Sequence, residues 1–274
     1  MSTALPRDII FTDLDGTLLD HDSYSFAAAE PALAMLKEKS IVWVLNTSKT
    51  SAELMPLSER LNNPFPFIVE NGAAVVVPKG CELLADADME AIDGARHKRF
   101  APRRSDVLTL LSQWREEKGY QFLGFSDLDA PALQEMTGLG FADAERALQR
   151  EYSEPICWQD SEVQWQQFTQ DLKGVGLQAL KGGRFYHIMG PTNKGVAMAW
   201  LVSSLYSDNE IAPRVIALGD SGNDIAMLAA ADIGVVVRSD YHAPPAISEP
   251  QGEIMLTESC GPAGWNETLL KLLK

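Results

Sequence analysis

At 274 residues the chain suits one large domain or two smaller ones with a sizeable core, and 46% apolar with 22% charged residues is an ordinary globular composition. A formal net charge of −15 argues against nucleic acid or anionic membrane as partner, since both need clustered Lys and Arg; an anionic substrate would require local positive charge or a metal ion. Cys81, Cys157 and Cys260 are too dispersed for a C-x-x-C site or an even disulfide framework, Met1 to Asp8 lacks signal-peptide character, and no apolar run approaches a membrane span, so a cytoplasmic location is expected.

In chain order, Ile9–Phe11 reads as a short buried strand, and Gly16 breaks the backbone just beyond it. Asp13 and Asp15 are thereby delivered to a strand's C-terminal end, where open α/β sheets hold ligands. A carboxylate there can be a nucleophile, a metal ligand or a proton donor; Asp-Gly is also a common turn. Ala27–Lys39 is expected to be helical, with Pro31 tolerable in the first turn, and Ile41–Leu45 is a strand apolar on both faces. Asn46-Thr47-Ser48-Lys49 follows that strand, and its hydroxyls and amides suit either a phosphate oxygen or a helix cap. Ser51 would cap a helix to Leu61. Phe67–Val69 and Val75–Val77 flank an Asn71-Gly72 hairpin turn, where Glu70 and Asn71 either bind sugar hydroxyls or form the turn.

From about Leu84 to Tyr186 the rhythm changes. A basic stretch, Arg96–Arg104, precedes an amphipathic helix Ser105–Lys118 with Leu108, Leu111 and Trp114 on one face. Tyr120–Phe125, Ile156–Trp158 and Phe185–Ile188 read as strands, and Ala142–Tyr152 and Val163–Leu172 as helices. This mixture reads as an α+β insert. The crossover pattern then returns: helix Lys194–Tyr206, strand Val215–Leu218, helix Asn223–Ala230, strand Ile233–Val237. A lysine is mildly unfavourable at a helix N-terminus, so Lys194 is either a surface residue or the partner of an anion. Gly219-Asp220-Ser221-Gly222-Asn223-Asp224 sets two carboxylates one helical turn apart after an apolar strand. The expected fold is a doubly wound, mostly parallel, Rossmann-like α/β core from residues 1–83 and 187–274, with an α+β cap over 84–186. Converging strand ends would make Asp13, Asp15 and Asp220 a hard oxygen site suited to Mg²⁺.

Asp13-Leu14-Asp15-Gly16-Thr17, Thr47, Lys194 and Gly219–Asp224 together resemble the four motifs of the haloacid dehalogenase-like superfamily of phosphotransferases. Asn46–Thr50, Glu70–Ala73, Met136–Leu139 and Gly183–His187 further resemble the mannosyl-3-phosphoglycerate phosphatase family, which converts mannosyl-3-phosphoglycerate to mannosylglycerate. Gly222 stands where members of that family often have Pro. The resemblance implies Asp13 as nucleophile, forming an aspartyl-phosphate, and Asp15 as proton donor and then acceptor. Thr47 and Lys194 would hold the phosphoryl oxygens, with Ser48 and Lys49 on the substrate. Mg²⁺ would be bound by Asp13, the Asp15 carbonyl and Asp220, while Asn223 and Asp224 orient Asp220 and Lys194. Near the return from the cap to the core, Arg184 or His187 would meet the glycerate carboxylate, although His187 also reads as an ordinary strand residue. The expected partner is a phosphorylated sugar or glycosyl-phosphoglycerate. A phosphomutase of the same superfamily, or a silent phosphosugar-binding regulator, is the alternative.

Overall fold

The computed structural model describes residues 6–85, 87–182, 184–207 and 212–274; Gly183 of the Gly183–His187 run lies outside the described residues. The chain begins with β1 (Asp8–Thr12), α1 (Glu30–Glu38), β2 (Val42–Leu45), α2 (Ser51–Arg60), β3 (Phe67–Val69) and β4 (Ala74–Val77). It continues with β5 (Glu90–Ile92), β6 (Ala95–Arg99), α3 (Arg104–Lys118), β7 (Phe122–Gly124), α4 (Ala130–Thr137), α5 (Phe141–Leu148), β8 (Glu154–Trp158) and α6 (Glu162–Gly174). It closes with β9 (Gln178–Lys181), β10 (Tyr186–Met189), α7 (Lys194–Leu205), β11 (Arg214–Gly219), α8 (Ile225–Ala230), β12 (Ile233–Arg238), β13 (Glu253–Cys260) and α9 (Gly261–Leu272).

The core sheet is wholly parallel, in the order β13-β12-β11-β1-β2, with Ile10 paired between Ile216 and Trp43. Its central strands carry unbroken apolar runs, Ile9–Phe11 in β1 and Val215–Leu218 in β11, because both faces are covered. Ile10 joins the cluster with Leu36 of α1 and Trp265 of α9, whereas Ile9 and Phe11 join Met198 of α7 and Met227 of α8. This is the two-residue alternation of a strand, read in two separate cores. Each such side chain contributes about 1.5–3 kcal/mol through burial. Parallel strands bring β1, β2 and β11 to end on the same edge, which fixes where Asp13, Asn46 and Asp220 emerge.

Two antiparallel sheets complete the molecule, in the orders β3-β4-β6-β5 and β7-β8-β10-β9. The expected hairpin is present, with Phe67 opposite Val76. An Asn46–Ile68 bridge joins it to the end of β2. Of the basic stretch at 96–104, Arg96–Arg99 lie in β6, paired to β5 across Asp93 (φ 49) and Gly94 (φ 83), and Arg104 opens α3. Asp-Gly is a strong hairpin signal, but the flanking strands lack apolar alternation and so do not stand out in the sequence. In the last sheet, Phe122, Ile156 and Ile188 pack on Leu111 and Trp114 of α3 and Phe168 and Leu172 of α6.

The helix expected over 142–152 stops at Leu148, because residues 150–153 turn away to bond Glu70. α4, β9, β13 and α9 have no counterpart in the sequence reading. For α4 the signals were present: Asp129 caps the first turn and Gly138 (φ 78) ends the helix.

Candidate active site

Asp13 follows the last residue of β1, held by its amide to the Leu218 carbonyl at 2.9 Å and by its own carbonyl to Thr12 Oγ1 at 2.7 Å. Thr12 Oγ1 in turn accepts a bond from Trp265 Nε1 (2.9 Å), so an α9 core residue braces the tip of β1. Lys194 is fully buried, and its ammonium reaches Asp13 Oδ1 at 2.5 Å and Asp224 Oδ1 at 2.6 Å. Burial disfavours that ammonium, yet Asp13 and Asp224 more than offset this and hold its pKa above the usual lysine value. Lys194 is therefore neither a surface residue nor a cap. Asn193 takes the capping role, with Oδ1 accepting from the Gly195 and Val196 amides, both at 3.0 Å.

The Gly219–Asp224 loop is shaped by close packing. Asp224 Oδ2 accepts from the amides of Asp220 (3.1 Å) and Ser221 (3.0 Å). A Cβ on Gly219 would lie 2.5 Å from Asp224 Cγ, and one on Gly16 (φ +77) would lie 2.7 Å from Asp220 Oδ2. Two motif glycines thus let β1 and β11 bring their acids together. By contrast, a Cβ on Gly222 would meet nothing within 4 Å.

Asp13, Asp220 and Asp224 can each offer an oxygen within 4.8 Å of the others. Three carboxylates against one ammonium leave two negative charges in excess. Burial first, and then the neighbouring carboxylates, push the Asp13 and Asp220 carboxyls up, while Lys194 works against this at Asp13. Asp15 Oδ1 is buried without a partner among the described residues. This donor set, all hard oxygen with uncompensated charge, fits a divalent cation such as Mg²⁺.

Thr47 is buried, and its Oγ1 accepts from the Lys49 amide at 3.3 Å. Lys49 pairs with Asp15 Oδ2 at 2.9 Å and Glu53 at 3.8 Å, beneath the Tyr24 ring. Burial opposes its charge, but Asp15 and Glu53 prevail and raise its pKa. Ser48, Lys49, Asn223, Arg184 and His187 line one cavity of about 630 Å³ with Asp13, Asp15 and Asp220. Arg184 is exposed and donates to the carbonyls of Met136 (3.4 Å) and Thr137 (2.9 Å). His187 is buried, with its pKa lowered to about 3 by burial, then by Arg150 and Lys194. It therefore meets the cavity as a neutral ring. Its Nδ1 has no partner among the described residues.

Glu70 and Asn71 do not line this cavity but sit behind residues that do. Both are fully buried, Glu70 against residues 150–153 and Asn71 Oδ1 accepting from Asn223 Nδ2 at 2.9 Å. Arg150 and His242, in contrast, line the cavity without having been singled out in the sequence. His242 Nε2 lies 3.0 Å from Asp220 Oδ2. Neither residue sits in a motif, and both arrive on loops whose path only the tertiary structure fixes.

The profile of the haloacid dehalogenase-like hydrolases matches residues 10–119 and 143–243. With this fold and acidic site, the chain belongs to that family. It is similar to a curated "glucosyl-3-phosphoglycerate/mannosyl-3-phosphoglycerate phosphatase" of Methanococcoides burtonii, at 39% identity over 268 residues and 97% of each chain. It is accordingly a phosphatase, a phosphoric monoester hydrolase acting on a small phosphorylated molecule. Among solved structures it shares the fold of the superfamily phosphatase BT1666 from Bacteroides thetaiotaomicron, with a TM-score of 0.64, 19% identity and 99% and 98% of the two chains covered. The subclass IIB sugar phosphatase BT4131 matches with a TM-score of 0.64, 16% identity and 97% and 98% coverage. No helix among the described residues is long and apolar enough to cross a membrane.

Proposed function

We propose that this phosphatase hydrolyses mannosyl-3-phosphoglycerate to mannosylglycerate and phosphate. The observation that carries this reading is the 39% identity, over nearly the whole of both chains, to the relative named for that substrate and its glucosyl counterpart. The charge layout supports it. The cavity joins an acidic, metal-type site at one end to the guanidinium groups of Arg150 and Arg184 in the inserted unit. A glycerate carboxylate is matched by a guanidinium fork, which a plain hexose phosphate would leave unused.

In this reading Asp13 attacks phosphorus in line, forming an aspartyl-phosphate as the P–O bond to glycerate breaks. Asp15, within reach of solvent and of Lys49, gives a proton to the leaving alkoxide. It then takes one from the water that hydrolyses the intermediate. Lys194 and the Thr47 loop hold the phosphoryl oxygens. Asp13, Asp220 and the Asp15 carbonyl would hold Mg²⁺, which when bound supplies positive charge against the phosphoryl oxygens. The unit spanning 84–186 is assigned to substrate choice, since the core supplies only phosphate chemistry.

A phosphate-release screen with Mg²⁺ tests the proposal. It should place mannosyl- and glucosyl-3-phosphoglycerate well above mannose 6-phosphate, glucose 6-phosphate and 3-phosphoglycerate. A preference for simple hexose phosphates would refute the substrate assignment and leave the phosphatase intact.

A further inference from the structure

Glu70, Asn71 and Gly72 are three consecutive residues with positive φ, at 48°, 60° and 86°. L-residues visit the left-handed region singly, and runs of it are costly. Strain of this kind persists only where the surroundings over-determine it. Here each of the three residues holds a different part of the active site.

The backbone of the turn is tied to the loop after β2: the Glu70 amide donates to the Lys49 carbonyl (3.0 Å) and the Asn71 amide to the Thr47 carbonyl (2.9 Å). The Asn71 side chain accepts from Asn223, in the loop that carries Asp220 and Asp224. Gly72 lies under the start of α7. Its carbonyl accepts from Thr192 Oγ1 at 3.0 Å, and a Cβ there would lie 2.1 Å from the Asn193 carbonyl oxygen, directly before Lys194. Glu70 points the other way, into the inserted unit. Its carboxylate accepts from the amides of Glu151 (2.8 Å) and Tyr152 (3.3 Å) and from Ser153 Oγ (2.6 Å), with Arg150 Nε at 3.5 Å. Arg150 completes the connection by donating to the Ser48 carbonyl at 2.8 Å, and it lines the catalytic cavity.

We propose that the Glu70-Asn71-Gly72 turn is the joint that registers the inserted unit against the catalytic loops, with Glu70 acting as a positioning residue that presents Arg150 to the substrate. A fully buried carboxylate needs its donors, and all four come from one loop of the inserted unit, residues 150–153. That loop is therefore seated only when Glu70 is satisfied, and Arg150 reaches the cavity only when the loop is seated. Glu70 touches neither substrate nor metal; it acts through Arg150. This extends the proposed function by naming what aligns the anion-binding arginine, and it rests on that reading only for the choice of substrate.

The test is a double-mutant cycle of Glu70→Gln and Arg150→Met in the full-length enzyme, assayed with Mg²⁺ on the best ester from the screen. Glu70→Gln should lower kcat/KM by roughly 10- to 100-fold, chiefly through KM, because a displaced Arg150 forfeits binding common to ground and transition states. In the Arg150→Met background the same change should cost less than about threefold, the signature of one interaction removed twice. Hydrogen exchange at the Glu151 and Tyr152 amides should accelerate in Glu70→Gln. Equal losses in both backgrounds, a fall in kcat at constant KM, or unchanged exchange at 151–152 would overturn the proposal. Should Glu70→Gln fail to fold, Glu70→Asp withdraws the carboxylate from the 150–153 loop while leaving the direct Ser153–Arg150 bonds (both 3.1 Å) in place, and it should raise KM several-fold; an unaltered KM would count against the joint. The exchange readout at 151–152 needs no substrate, so if glycosyl-3-phosphoglycerates are not substrates it still tests the joint, and failure of the substrate assignment and failure of the joint remain distinct.

Discussion

Asp13 and Lys194 show how much a single residue's meaning depends on what folding brings beside it. The Asp-Leu-Asp-Gly-Thr run is readable in the sequence because strand, glycine and acid spacing are local. The ion pairs that hold Lys194 between Asp13 and Asp224 join positions 181 and 30 residues apart and are not. His187 illustrates the converse: it lines the cavity, but burial beside Arg150 and Lys194 makes it a neutral ring, so positive charge on that part of the wall comes from the arginines. Asp13→Asn should keep the fold, since amide and carboxylate are nearly isosteric and the loss of one charge relieves a crowded acidic site. Turnover should fall by at least about 10³-fold, because the proposed mechanism makes Asp13 the nucleophile. Phosphate release and thermal unfolding measured together would check this: activity near wild type ends the nucleophile assignment, and a collapse in Tm would make the loss uninformative about chemistry.

At the scale of elements, helix α2 shows where local signals compete. The sequence suggests Ser51 as the cap, but Thr50 holds that position, because Glu53 lies three residues after it and closes the capping box. The Glu53 amide donates to Thr50 Oγ1 at 3.1 Å, and the Thr50 amide donates to Glu53 Oε2 at 2.8 Å. Thr50 Oγ1 also donates to the Arg146 carbonyl of α5 at 3.0 Å, so the cap of a core helix doubles as a tie to the inserted unit. Thr50→Ala should cost about 1–2 kcal/mol, at the upper part of the capping range because the partly buried Arg146 carbonyl loses its donor as well. For a chain of this size that is a Tm decrease of about 2–8 °C. Thr50→Ser should recover most of it, and failure of Ser to do so would place the effect in the lost methyl rather than in the cap. Buried strands such as β1, β2 and β11 were legible as unbroken apolar runs. The edge hairpin β5–β6 and the short strand β9 were not, because half-exposed strands carry little apolar pattern.

The whole molecule carries a net charge of −15 and yet gathers three of its carboxylates into one buried site. That arrangement makes cation binding and stability a single linked quantity. Burial and mutual repulsion raise the Asp13 and Asp220 carboxyls above their unfolded values in the metal-free protein. A carboxyl raised in this way contributes stability that is fully present below the ordinary carboxylate range near pH ~4 and is lost as pH rises through the raised value. The metal-free enzyme therefore carries an electrostatic cost at neutral pH that it does not carry in acid. A divalent cation binds the ionised form, so it both offsets that cost and adds its own binding free energy, about 2.7 kcal/mol at a hundredfold excess over Kd. Thermal unfolding with Mg²⁺ and with EDTA should thus show a Tm gain that is small at pH 5 and larger at pH 8, and Asp220→Asn should remove most of the gain at pH 8. A gain of equal size at both pH values would separate cation binding from these carboxyls. No gain at either would remove the case for Mg²⁺ at this site.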